Sequence, residues 1–185
     1  MKNKTRKLNR YAGHDYSLPG FYFVTICTDG TKEYFGKIES GEMKLNQLGK
    51  IVLKNLENIR IYFDNIFLCE HVVMPNHVHA IFEIQSSIVG ADLVSAQERT
   101  GARPVPTKRG GLLSEVVRIF KSKSAVECIK FTKENNLGKF SKVWQRSFYD
   151  RVIRNQDSLN KIRQYIERNP KFWDEDKNKV ENIFY

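Results

Sequence analysis

With 185 residues, 41% of them apolar and 12 Phe, 8 Tyr and 2 Trp among them, the chain can bury a sizeable core and suits one domain, 1–185, better than two. Its net charge of +10, from 31 Lys and Arg against 21 Asp and Glu, implies either an acidic partner, of which nucleic acid is the usual one, or simply a soluble basic protein. Cys27, Cys69 and Cys128 are too widely spaced for a close metal or redox pair, which suits a reducing cytoplasm; the basic stretch Met1–Arg10 lacks a signal peptide's apolar run, and the absence of ~20 consecutive apolar residues leaves no candidate membrane span.

In chain order, residues 1–20 are polar, end in Ser17-Leu18-Pro19-Gly20 and read as an arm. Phe21 to Thr28 is aromatic and β-branched, a strand. Tyr34 to Leu45 reads as a hairpin turning near Ser40-Gly41. Asn46 can cap a helix bearing Leu48, Ile51, Val52, Leu56 and Ile59 at helical spacing. Ile66 to Met74 and His77 to Ile84 are strands joined by the turn signal Pro75-Asn76, an antiparallel pair. Ser86 to Gly111 is rich in small residues without periodicity, and reads as a flexible insertion. Leu112, Leu113, Val116, Val117 and Phe120 begin a helix predicted to reach about Phe131. Lys139 to Arg154 is extended. Asp157 is the expected cap of a last helix striped by Leu159, Ile162 and Ile166, which Pro170 should end. This order predicts an α+β fold, an antiparallel sheet with packed helices of split βαβ type.

In the strand from His77, the alternation puts Val78, Ala80, Phe82 and Ile84 on one apolar face and His77 and His79 on the other. Two imidazoles roughly 7 Å apart at Cα can lean onto one ion, and neutral imidazole is a common ligand of divalent metals. Glu83 shares that face but lies about 13 Å beyond His79, too far for the same ion. The plain alternative is two histidines packed under a covering helix.

On the last helix Tyr165 and Asn169 are four residues apart and so share a face, at the edge of the apolar stripe. Lys161 and Arg168 flank it, where they could hold a phosphate backbone. Taken alone, Tyr165 is a rim residue and Asn169 a C-terminal cap. Taken with the histidines, an ion held by His77, His79 and the Asn169 oxygen would polarise a phosphodiester while the Tyr165 phenolate attacks it. A phenol of pKa about 10 is ionised to roughly one part in a thousand at neutral pH, so nearby cationic charge matters.

Four segments in this order resemble the REP-associated tyrosine transposases, and more broadly the single-tyrosine insertion-sequence transposases with a His–bulky apolar–His motif. They are Asp15-Tyr16-Ser17-Leu18-Pro19-Gly20-Phe21-Tyr22-Phe23-Val24-Thr25, Met74-Pro75-Asn76-His77-Val78-His79, Trp144-Gln145-Arg146-Ser147-Phe148-Tyr149-Asp150-Arg151-Val152-Ile153-Arg154 and Tyr165-Ile166-Glu167-Arg168-Asn169-Pro170. The resemblance implies a ferredoxin-like fold. It implies that Tyr165 attacks single-stranded DNA to leave a 5′-phosphotyrosine and a free 3′-hydroxyl, with Mg²⁺ or Mn²⁺ held by His77, His79 and Asn169. It implies hairpin-forming, palindromic single-stranded DNA as partner. The basic N-terminal arm and a helix bearing Arg118, Lys121 and Lys123 are candidate hairpin contacts, joined by Arg146 and Arg151. Tyr149 is the second candidate nucleophile. The segment 86–111 departs from the family core, as a tolerated insertion or as a DNA-binding element.

Three rivals stand beside this reading: a catalytically inactive hairpin-binding repressor or architectural protein, a metal-dependent nuclease using water, and an RNA-binding module of ferredoxin-like type. Between monomer and homodimer, the sequence does not choose.

Overall fold

The computed structural model describes residues 15–86, 111–138 and 142–173. Most of the expected arm, residues 1–14, lies outside them, as does the expected insertion 86–111 apart from its two end residues. In chain order the elements are β1 (Gly20–Cys27), a hairpin of β2 (Gly36–Glu39) and β3 (Glu42–Leu45), α1 (Gln47–Glu57), β4 (Ile66–Val73), β5 (His77–Ile84), α2 (Gly111–Glu134), β6 (Tyr149–Ile153) and α3 (Gln156–Arg168). The main sheet runs β4-β5-β1-β6 with every neighbouring pair antiparallel. Each of the connections β1-α1-β4 and β5-α2-β6 passes over one intervening strand, which is the ferredoxin-like arrangement expected from the sequence.

The local signals act largely as expected. Asn46 caps α1, its side chain accepting from the Gly49 amide at 3.0 Å. The small hairpin turns at Ser40 and Gly41, both at positive φ (52° and 76°), as a tight two-residue turn requires. Three expectations change. The cap of α3 is Asn155, which accepts from Ser158 N at 2.8 Å, while Asp157 sits in the first turn. There the carboxylate faces the helix's positive end without closing the cap. Pro170 ends the α-helical hydrogen bonding but not the coil, which tightens into a 3₁₀ turn over Asn169–Phe172. Of the expected extended stretch 139–154, residues 139–141 lie outside the described residues, and the rest shortens to β6, preceded by a lone bridge between Thr28 and Trp144.

Both faces of the sheet are covered. Val78, Ala80, Phe82 and Ile84 of β5 join Tyr22, Val24 and Ile26 of β1 in a core closed by Val52 and Leu56 of α1 and by Leu113, Val116, Val117 and Phe120 of α2. On the opposite face Phe23, Ile81 and Ile153 pack beneath Leu159, Ile162 and Ile166 of α3. A bulge in β4 seats that helix. Leu68 pairs with Phe82 and His71 with Ala80, so Cys69 and Glu70 together oppose Ile81. Glu70 then reaches Arg163 of α3, 2.8 Å from Oε1 to Nε.

Candidate active site

The odd positions of β5 place His77 opposite Cys27 and His79 opposite Thr25. Both imidazoles are buried, 2% and 0% exposed, with ring centres 4.4 Å apart. His79 Nδ1 meets Thr25 Oγ1 at 2.9 Å, and His77 Nδ1 meets Asn76 Oδ1 at 2.7 Å. Burial removes water from the charged forms, so His77 is pushed down to about 4. A hydrogen bond that the Asn169 side chain can accept from protonated His77 partly offsets this. His79 falls well below the usual histidine value, through burial first and the neighbouring His77 second. Both rings are therefore neutral at physiological pH, the form in which imidazole ligates a metal.

α3 lays Tyr165 and Asn169 over this pair. The Tyr165 hydroxyl stands 3.2 Å from His79 Nε2, and the rings are 5.2 Å apart at 65°. Phe23 fills the wedge, stacked on His79 at 5.3 Å and edge-on to Tyr165 at 6.2 Å. Trp173 stacks on His77 at 6.0 Å. Asn169 is 1% exposed. The structure thus brings His77, His79, Tyr165 and Asn169 into one cluster, and adds Thr25, Asn76, Phe23 and Trp173.

The donors fit a divalent cation. His77 Nε2 is buried with no hydrogen-bond partner, a state costing about 1–3 kcal/mol unless something engages it. An amide oxygen placed to accept a proton from that nitrogen is also placed to face a cation on it. Among the described residues no group of three His, Cys, Asp or Glu side chains could hold a metal, so an ion here would rely on two imidazoles and one amide.

The basic candidates divide by location. Lys161 and Arg168 are exposed on α3, and Arg146 is exposed before β6. Arg151 is exposed on β6, paired with Phe23 and so on the histidine face. Arg118, Lys121 and Lys123 lie on α2, across the sheet from the histidines. Arg118 forms an ion pair with Glu115. Lys121 is half-buried and donates to the carbonyls of Gln145 (2.5 Å), Arg146 (3.1 Å) and Ser147 (3.4 Å). Lys123 stands 5.5 Å over the Tyr62 ring. Tyr149 pairs with Thr25, on the histidine face but one strand beyond Thr25 from His79.

No family model matches the chain. It is 34% identical over 172 residues to an uncharacterized protein of Haemophilus influenzae, covering 92% of this chain and 91% of that one. It is 23% identical over 158 residues to a proposed REP-associated tyrosine transposase of the same organism, 84% of this chain and 73% of the other. Among solved structures, a REP-associated tyrosine transposase bound to a REP hairpin matches 87% of this chain and 73% of its own, with a TM-score of 0.51 and 17% identity. That last likeness is one of fold. No helix among the described residues is long and apolar enough to cross a membrane.

Proposed function

This chain belongs to one family with the uncharacterized Haemophilus influenzae protein, and we propose that it is a metal-assisted, single-tyrosine transposase that cuts and rejoins single-stranded hairpin DNA. The observation that carries this reading is the Tyr165 hydroxyl held 3.2 Å from one of two adjacent buried histidines. A phenol needs help to act as a nucleophile at neutral pH. The histidines, kept neutral by burial, do not supply positive charge themselves. They supply lone pairs, and with the Asn169 oxygen they would hold Mg²⁺ or Mn²⁺. When bound, such an ion contributes charge that polarises a phosphodiester and favours the phenolate.

The remaining chemistry belongs to the chain. The Tyr165 oxygen attacks phosphorus, and the bond from phosphorus to the 3′ oxygen breaks. The phenol loses its proton, the leaving oxygen gains one, and the products are a 5′-phosphotyrosine and a free 3′-hydroxyl. The reverse step with another 3′ end rejoins DNA, one phosphodiester for another, with no nucleotide cofactor. α3 presents the nucleophile rigidly, since Ile162 and Ile166 anchor it on the sheet. His79 Nε2 has a single lone pair, so the Tyr165 hydroxyl, 3.2 Å away, would have to give up that contact for the nitrogen to hold an ion. Arg151, Arg168 and Lys161 offer exposed cations for the phosphates leading to Tyr165. The transposase reading is supported by the 23% relative, and the hairpin substrate by the REP hairpin bound to the structure of like fold.

The test is strand joining. The covalent species, isolated and given an oligonucleotide with a free 3′-hydroxyl and no ATP, should return a joined strand. Cleavage to a 5′-phosphate with no covalent species to isolate would instead mark a nuclease that uses water.

A further inference from the structure

We propose that Asn76 is a positioning residue that holds His77 in its Nδ1-protonated tautomer and so leaves the Nε2 lone pair facing the ligand site. This rests on the metal-assisted reading above for its purpose, though not for its geometry. A histidine ring has two nitrogens, and in the neutral form only one carries hydrogen. Which one is decided by the partners. The Asn76 side chain has an oxygen that only accepts and a nitrogen that only donates, so its orientation decides the matter.

That orientation is anchored at both ends. Asn76 Nδ2 donates to the Thr31 carbonyl at 3.2 Å, which turns Oδ1 toward His77 Nδ1 at 2.7 Å. Thr31 adopts φ 55°, a conformation a β-branched residue rarely takes and one that costs about 1–3 kcal/mol. That strained residue supplies the carbonyl that fixes the amide. The backbone of Asn76 is fastened as well, since its carbonyl accepts from Thr28 N at 2.8 Å and from Thr28 Oγ1 at 2.9 Å. Thr28 is fully buried and bridged to Trp144. His77 Nδ1 therefore faces a fixed acceptor at 2.7 Å, which favours hydrogen on that nitrogen. Its Nε2, buried and making no hydrogen bond in the structure, then keeps its lone pair on the side it shares with the Asn169 side chain. His79 differs, because its Nδ1 partner is the Thr25 hydroxyl, which can donate or accept and dictates no tautomer. The asymmetry singles out Asn76.

Long-range ¹H–¹⁵N spectra of the metal-free full chain read the tautomer directly, and a Mn²⁺ titration of the same samples reads its consequence. The wild type should show His77 protonated at Nδ1. Asn76→Ala should shift His77 toward the Nε2-protonated form and weaken Mn²⁺ binding by about 10- to 100-fold, the usual effect of losing an outer partner of a ligating histidine. Asn76→Asp keeps an accepting oxygen and should restore both the tautomer and most of the affinity. A wild-type His77 protonated at Nε2, or an Asn76→Ala protein with unchanged tautomer and affinity, would overturn the proposal. If Asn76→Ala does not fold, a His77 protonated at Nε2 in the wild type or in Asn76→Asp would still overturn the proposal. A tautomer that shifts in Asn76→Ala, in a protein that binds no Mn²⁺, upholds the role of Asn76 and removes the metal-assisted reading instead.

Discussion

Tyr165 and His79, 86 positions apart in the chain, meet at 3.2 Å between hydroxyl and Nε2. Several independent features converge on that contact. The register of β5 against β1 turns His79 to the α3 side. The bulge in β4 offers Glu70 to Arg163, one helical half-turn before Tyr165. Phe23 closes the space between the two rings. Each feature is a structural consequence of sequence pattern, and together they bring the phenol beside His79.

Burial of the histidines predicts a pH-dependent stability. His77 falls from the ordinary 6.5 to about 4 in the folded chain. Between those values the unfolded chain binds a proton that the folded chain refuses. The stability is therefore complete above pH 6.5 and is lost as pH falls toward 4. For His77 alone the loss approaches about 3 kcal/mol, and His79 adds in the same direction. Denaturant unfolding in EDTA at several pH values should show this slope, and His77→Gln should flatten it. An equally steep slope in that variant would contradict the assignment.

The cap of α3 makes a second prediction. Asn155→Ala should lower stability by about 1 kcal/mol through loss of the bond from Ser158 N, and Asp157→Ala by less, since only its charge near the helix start is lost. Thermal or denaturant unfolding of the two variants separates them, and a larger loss for Asp157→Ala would return the cap to Asp157.

The lysines and arginines should part into two groups. Lys121→Met should destabilise the fold, because three carbonyls of 145–147 lose their donor. Arg168→Ala, at an exposed position, should leave stability within about 0.5 kcal/mol. It should weaken hairpin-DNA binding and reduce its salt dependence by about one unit of slope. Filter-binding across a salt series, paired with unfolding curves, checks both. An unchanged salt slope for Arg168→Ala would remove it from the DNA path.

Much of this was legible in the chain. Strict alternation from Val78 to Ile84 set the histidines on one face, and the four-residue spacing of Tyr165 and Asn169 set them on another. The ferredoxin-like order of strands followed from the element order together with the family resemblance. What was not legible depends on distant partners. Thr25 joins the site only through the register with His79, 54 residues away. Trp173 reaches His77 because the coil continues as a 3₁₀ turn past Pro170, where the sequence suggested an ending. Asn155 and Asp157 both carry cap-forming side chains, and only the helix start decides between them. Lys121 looked like a surface cation because the carbonyls it serves lie 24 to 26 residues on.

The most direct measurement is a denaturing gel of the protein incubated with 3′-labelled single-stranded hairpin DNA and Mg²⁺ or Mn²⁺, beside Tyr165→Phe and Tyr149→Phe. Label should migrate with the wild-type and Tyr149→Phe proteins, as a 5′-phosphotyrosine requires, and should be absent from Tyr165→Phe. An adduct that survives in Tyr165→Phe would contradict the assigned nucleophile, and hairpin binding with no adduct in any of the three would favour a catalytically inactive hairpin-binding protein.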